Sequence, residues 1–223
     1  LEPFTVHRGR VALLDWADVN TDLIIPARYL KRIERTGYGP LLFADKRYLP
    51  GQAPPADDPT RSAAPDPAFP LNQPVAQNAT ILVAGPNFGC GSSREHAVWA
   101  VAQAGFRVVI APGPGQGFAD IFEGNAFNNG LLPIELDPAD WAVIADACRQ
   151  PSPTEITVDL LALRVTLHGA EGQPDRSFAF SVPEGLRQQL LQGLDPIGVT
   201  LQDESTIRGH ERAMPPWMTP ARV

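Results

Sequence analysis

Cysteine is almost missing from this 223-residue chain: Cys90 and Cys148 are the only two, and they stand far apart. Two distant thiols cannot build a disulfide framework or a cysteine-rich metal site, and so sparse a use fits a reducing compartment. Positive charge is also scarce, with 18 Lys and Arg against 25 Asp and Glu and a formal net charge of −7. Nucleic acid is excluded as a partner on that ground, because phosphate contacts need clustered cations. No stretch approaches the roughly 18 apolar residues of a membrane span, and the first residues, LEPFTVHRGR, lack the apolar core of a signal peptide. A cytoplasmic protein without a membrane segment is the expectation. His7, His168 and His210 show no metal-ligand spacing and read as surface or strand-edge residues. With 43% hydrophobic residues the chain has enough for one sizeable core, so residues 1–223 are expected to form a single domain.

The most informative stretch is Thr80 to Pro112, TILVAGPNFGCGSSREHAVWAVAQAGFRVVIAP. Thr80–Ala84 and Phe106–Ala111 are unbroken apolar runs of the kind that buried parallel strands show. Between them the spacing predicts a helix. Ser92 followed by Glu95 forms a capping box, Ala97, Val98, Val101 and Ala102 make an inward stripe, and Gly105 stops the helix. A strand, glycine loop, helix and strand in this order put the loop at the carboxyl end of the first strand, where ligands of α/β sheets bind.

That turn has the composition of an anion site. Gly85, Gly89 and Gly91 let the backbone approach a ligand and aim its N–H groups, and a helix start adds partial positive charge. Ser92 and Ser93 add two hydroxyls, and Arg94 adds a planar cation able to grip a carboxylate through two parallel bonds. The plainer alternative makes Ser92 a cap and Arg94 a solvated first-turn residue. It leaves unexplained why a cation sits where the helix dipole disfavours one. Three familiar motifs fail here. A dinucleotide fingerprint needs glycine where Arg94 stands, a phosphate loop needs Gly-Lys-Ser/Thr, and neither serine has the flanking glycines of a nucleophile elbow.

Elsewhere, residues 4–14 read as a strand or hairpin, and Asp18–Asp22 as a polar turn leading through Leu23–Pro26 to a short helix at Ala27–Arg32. Arg28, Lys31, Arg32 and Arg35 form the densest basic cluster of an acidic chain, which is either a solvated face or part of a site. Residues 50–74 carry eight prolines and read as a long surface connection within the domain. Residues 113–117, GPGQG, read as a flexible loop. A helix stopped by Asn129-Gly130, a strand at Leu131–Leu136, and a helix from Asp137-Pro138 containing an inert Cys148 follow. Ile156–Leu160, Leu163–Leu167 and Phe178–Val182 alternate at period two, as an antiparallel meander does. Helices at 183–192 and 196–213 then lead to a tail at 214–223 bearing Trp217.

GPNFGCGSSREHA, residues 85–97, closely resembles the signature of the aconitase C-terminal swivelling domain, in the wording of isopropylmalate isomerase (3-isopropylmalate dehydratase) small subunits. NTDLIIPARYLKRIERTG, residues 20–37, resembles the segment of that family leading into its substrate-discriminating loop, and GLDPIGVTLQ, residues 193–202, also resembles the small-subunit wording. The resemblance implies an α/β swivelling β/β/α domain with a mainly parallel central sheet, flanking helices and an antiparallel meander. It implies a hydro-lyase acting on a dicarboxylate in leucine biosynthesis, with Ser92 as the base, Ser93 and Arg94 on substrate carboxylate, and Tyr29, Leu30, Lys31 and Arg32 in the discriminating loop. Gly89, Gly91 and His96 would support the site. Aconitase-type chemistry uses a 4Fe–4S cluster held by three thiolates; this chain has two cysteines in all, so the cluster is expected on a large subunit, with none bound here. Homoaconitate or a methylmalate as substrate, and a non-catalytic anion-binding module, remain open. The last is raised by two departures from the family wording, Gly113–Gly117 in place of one serine and Glu123 in place of an aromatic residue.

Overall fold

The computed structural model describes residues 1–170 and 172–215 of the chain, so Trp217 of the expected tail lies outside the described residues. Seven strands form one sheet in the order β4-β3-β2-β1-β5-β6-β7, where β1 is Val6–Leu14, β2 Ala79–Ala84, β3 Val108–Pro112, β4 Leu132–Leu136, β5 Glu155–Asp159, β6 Arg164–Leu167 and β7 Arg176–Ala179. β1 to β4 are mutually parallel, and β5 to β7 continue the same sheet antiparallel, β5 pairing with β1 through Val6↔Asp159 to Arg10↔Glu155. The meander is thus an extension of the parallel sheet.

The apolar run of β2 follows from burial on both faces. Leu82 and Ala84 point into one core, with Leu14 and Val109; Ile81 and Val83 point into the other, with Val108, Ile110 and Ile134. The first core is closed by α3 (Glu95–Gln103), α4 (Asp120–Asn128) and the 24–44 segment, and the second by α5 (Pro138–Cys148), α6 (Glu184–Gln192) and the inner face of the meander. Truncating Ile110, which is wholly buried, to Ala costs about 2–5 kcal/mol. α6 ends where Gly193 takes a left-handed φ of 66°, as its sequence position suggested.

Three expectations need correcting. α3 begins at Glu95, three residues after the expected cap: Arg94 occupies the N-cap position and its side chain makes no capping hydrogen bond, while the Glu95 carboxylate accepts from Asn129 Nδ2 at 3.0 Å. The reason is that residues 89–92 are used in bridging to residues 19–21, so the chain enters the helix late. Ala100, rather than Ala102, completes the buried stripe of α3. The helix expected at 196–213 is two, α7 (Pro196–Leu201) and α8 (Glu204–Ala213), broken at Gln202-Asp203. The proline-rich stretch 50–74 runs along the surface with short 3₁₀ turns at Pro70–Asn72 and Pro74–Ala76, pinned by buried Phe69 and by Leu49 N–H donating to Ala64 C=O.

Candidate active site

The glycine turn after β2 is held by α1 (Thr21–Ile24) and the residues before it. Gly89 N–H donates to Val19 C=O at 2.7 Å, Thr21 N–H to Cys90 C=O at 2.9 Å, and the Thr21 hydroxyl to Ser92 C=O at 2.8 Å. Gly89 has φ of 80°, and a Cβ there would come within 2.3 Å of the Phe122 ring, so only glycine lets the turn lie against α4. This glycine serves close packing of protein on protein.

The opposite wall is the start of α4, and the GPGQG loop positions it. Phe88 N–H donates to Gly117 C=O and Ala119 N–H to Phe88 C=O, while Phe122 packs edge-on to Phe88 at 5.2 Å. Residues 113–117 are not a free flexible loop: the Glu135 carboxylate accepts from Gly115 N–H at 2.6 Å and Gly117 N–H at 2.8 Å. A carboxylate gripping two amides supplies the order that the loop's own composition lacks.

Between these walls lies a cleft of about 210 Å³ lined by Thr21, Gly89, Gly91, Ser92 and Arg94 on one side and Ala119, Asp120, Ile121 and Phe122 on the other. Ser92 is exposed at its edge and Ser93 is exposed beside it. Arg94 is mostly buried, at 16% side-chain exposure, and its guanidinium is paired with the Asp22 carboxylate. Asp22 thereby fixes the direction of the cation. Two larger hollows, of about 640 and 520 Å³, lie along Arg28–Asp66 and Leu42–Phe106 and contain no glycine-turn residue. Chemistry rather than size selects the smaller cleft.

The remaining named residues are placed elsewhere. His96 faces away from the cleft, its ring 5.5 Å from Tyr38 and 4.7 Å from Trp99. Burial is the main cause holding its pKa below the ordinary histidine value; Arg94 adds to the shift and Glu95 opposes it. Tyr29 is buried, its hydroxyl donating to Pro54 C=O at 2.8 Å, and Leu30 is half-buried against the same core. Arg32, at 12% side-chain exposure, donates to Ala56 C=O at 2.7 Å. Lys31 is exposed, and Ile33 two residues on is 94% exposed. The basic cluster is therefore dispersed, with Arg28 paired to Asp45 and Arg35 lying over the Trp99 ring. Thr21, Asp22 and the start of α4 join the site in space, and in the sequence only the polar pair Thr21-Asp22 ahead of an apolar run hints at them.

Cys90 and Cys148 lie on different elements, Cys90 in the glycine turn and Cys148 at the end of α5. Burial pushes the Cys148 thiol up to about 11, and burial also raises Cys90. Among the described residues no group of three His, Cys, Asp or Glu is arranged to hold a metal ion. The donor set of a three-thiolate iron–sulfur cluster does not fit this chain.

The parallel strands thus open on a glycine turn with a serine pair and an arginine at the rim of its cleft. The model of the aconitase C-terminal domain matches residues 1–139, and the chain belongs to that family. Its similarity runs further: the 3-isopropylmalate dehydratase small subunit of Marinobacter nauticus is 48% identical over 221 residues, covering 98% of both chains, and that of Desulforapulum autotrophicum 43% identical over 224 residues, again 98% of both. The crystal structure of 3-isopropylmalate dehydratase from Methanocaldococcus jannaschii superposes with a TM-score of 0.58 at 26% identity, covering 92% of this chain and 98% of that one. No helix among the described residues is long and apolar enough to cross a membrane.

Proposed function

We propose that this chain is the small subunit of a 3-isopropylmalate dehydratase, a hydro-lyase that interconverts 2- and 3-isopropylmalate by dehydration and rehydration through 2-isopropylmaleate in leucine biosynthesis. The observation that carries the reading is the near full-length identity of 48% to a small subunit of that name, joined to a cleft whose rim holds Ser92 and Arg94.

The reaction removes a carbon-bound proton and expels a hydroxyl. A base, a Lewis acid and cations for the carboxylates are needed. Ser92 is the base, Arg94 holds a substrate carboxylate with Ser93 beside it, and Asp22 keeps the guanidinium aimed. Gly89 and Gly91 shape the turn that carries them. A helix N-terminus stabilises an anion by about 0.3–1 kcal/mol, or ~2 when partly buried, and one pKa unit is about 1.36 kcal/mol. The α3 terminus alone therefore cannot ionise a serine, and an exposed Ser92 needs water excluded and further positive charge brought in. Both demands point to a large subunit closing over the cleft. That subunit also carries the 4Fe–4S cluster, since this chain offers two separated thiols. The loop from Leu30 to Arg35, with the exposed Ile33 and Lys31 at its tip, is suited to meet the apolar branch and the charge of the substrate.

The test is a substrate panel with the chain mixed with its large subunit. Isopropylmalate is converted faster than homoaconitate or 2-methylmalate; a preference for either of the others reassigns the substrate, and binding of dicarboxylates without turnover of any makes the chain a module that lost the reaction.

A further inference from the structure

One short helix runs from the edge of the cleft to the base of the exposed 30–38 loop. α3 starts immediately after Ser92-Ser93-Arg94, and at its other end stands Gln103. The side chain of Gln103 is used at both atoms: Oε1 accepts from Tyr38 N–H at 2.8 Å, and Nε2 donates to Arg35 C=O at 2.7 Å. This closes the 35–38 turn, the return leg of the exposed loop that begins at Leu30. Gly39 lies directly on the Gln103 backbone, where a Cβ would come within 2.3 Å of its carbonyl oxygen, and the Tyr38 ring packs on Trp99 and His96, one and two turns back along the same helix face. At the other leg the loop is held by Tyr29 on Pro54. Between these anchors, Lys31 and Ile33 to Thr36 are exposed.

From this arrangement we infer that Gln103 is a positioning residue for substrate discrimination: it fastens the 30–38 loop to the helix that follows the Ser92 turn, so that the loop tip and the reactive hydroxyl keep one fixed separation. The inference rests on the proposed function for what the loop reads, but the clasp itself is a matter of this chain alone. Gln103 touches no cleft residue and lies exposed on the surface, so its removal leaves the core intact. An unfastened loop still closes on substrate, but it distinguishes an isopropyl from a methyl branch less well, because discrimination depends on a rigid wall.

The experiment uses Gln103→Leu, which keeps the size and removes both bonds, in the full chain and in the complex with the large subunit. Hydrogen exchange of the Tyr38 amide and of residues 31–36 should accelerate about tenfold, the change expected for losing one to two hydrogen bonds. The ratio of kcat/KM for isopropylmalate over 2-methylmalate should fall several-fold, with kcat on isopropylmalate nearly unchanged and the melting temperature held. Gln103→Glu keeps the acceptor for Tyr38 but loses the donor to Arg35 and should lie between. Unchanged exchange at Tyr38 would overturn the clasp, and a parallel fall in kcat/KM for both substrates would overturn its role in discrimination. If the wild-type complex does not convert isopropylmalate, the functional reading fails while the exchange result still judges the clasp.

Discussion

Ser92 and Thr157 carry hydroxyls on the two halves of one sheet, and their surroundings are opposite. Thr157, on β5 in the antiparallel half, has an orderly partner chain: its Oγ1 lies 2.8 Å from His168 Nε2, and His168 Nδ1 lies 3.0 Å from the Asp175 carboxylate. Asp175, which also accepts from Gly169 N–H, has its pKa lowered by that bond first and by His168 second. By hydrogen-bond order alone this would be read as a nucleophile, base and orienting acid. It lies on an open strand face, however, beside Arg8, Glu155 and Thr166, which are partly or fully exposed. Ser92 has no such chain among the described residues, but it stands at the edge of a cleft, next to a mostly buried guanidinium, where the parallel strands end. Placement decides chemistry here, and the antiparallel half owes its neat triplet to covering a sheet surface.

The comparison can be broken by mutation. Ser92→Ala in the complex should lower kcat by about 10²–10⁴-fold, the usual worth of a positioned base, with KM little changed; steady-state kinetics on isopropylmalate would show it, and an unaltered kcat would remove Ser92 from the reaction. Arg94→Ala should raise KM by roughly 10–100-fold, as loss of a charge-assisted hydrogen bond of about 1.5–3 kcal/mol requires. Arg94→Lys should restore only part of it, because a point charge cannot make paired bonds to a carboxylate.

Glu135→Ala should release the 113–117 loop and, through Phe88 and Phe118, the α4 wall. A loss of about 1–3 kcal/mol in unfolding free energy is expected from two charge-assisted bonds, read from denaturant melts. His168→Asn should change neither kcat nor KM, and a clear loss of activity would mean that the open strand face takes part in catalysis. The smallest effect concerns pH. His96 is held below its ordinary value of 6.5, so below that value the unfolded chain binds more protons than the folded one. Stability should therefore decline as pH falls through about 6.5 and level off below the folded pKa, and His96→Phe should flatten that part of the stability profile.

Much of this was legible in the residues. The apolar run of β2, the glycine turn and the alternation of β5 to β7 were readable because burial on two faces or one imposes those patterns directly. The start of α3 departs from the expectation because the Ser92-to-Glu95 spacing is only a local signal. What overrode it was non-local: Thr21, 71 residues away, takes the Ser92 carbonyl, and Asn129 takes the Glu95 carboxylate. The GPGQG loop departs from its expected flexibility for the same reason, since its order comes from Glu135 on another strand. The basic cluster at 28–35 is not resolvable from sequence either, because its three arginines are claimed by Asp45, a carbonyl at Ala56 and the Trp99 ring, in different parts of the chain, while Lys31 is exposed.

The central claim is that the cleft is half of a site, completed by a second polypeptide. Turnover of isopropylmalate by the purified chain, by the large subunit, and by their mixture tests it most directly. The mixture should be active and each component alone inactive; conversion by this chain alone would contradict the account.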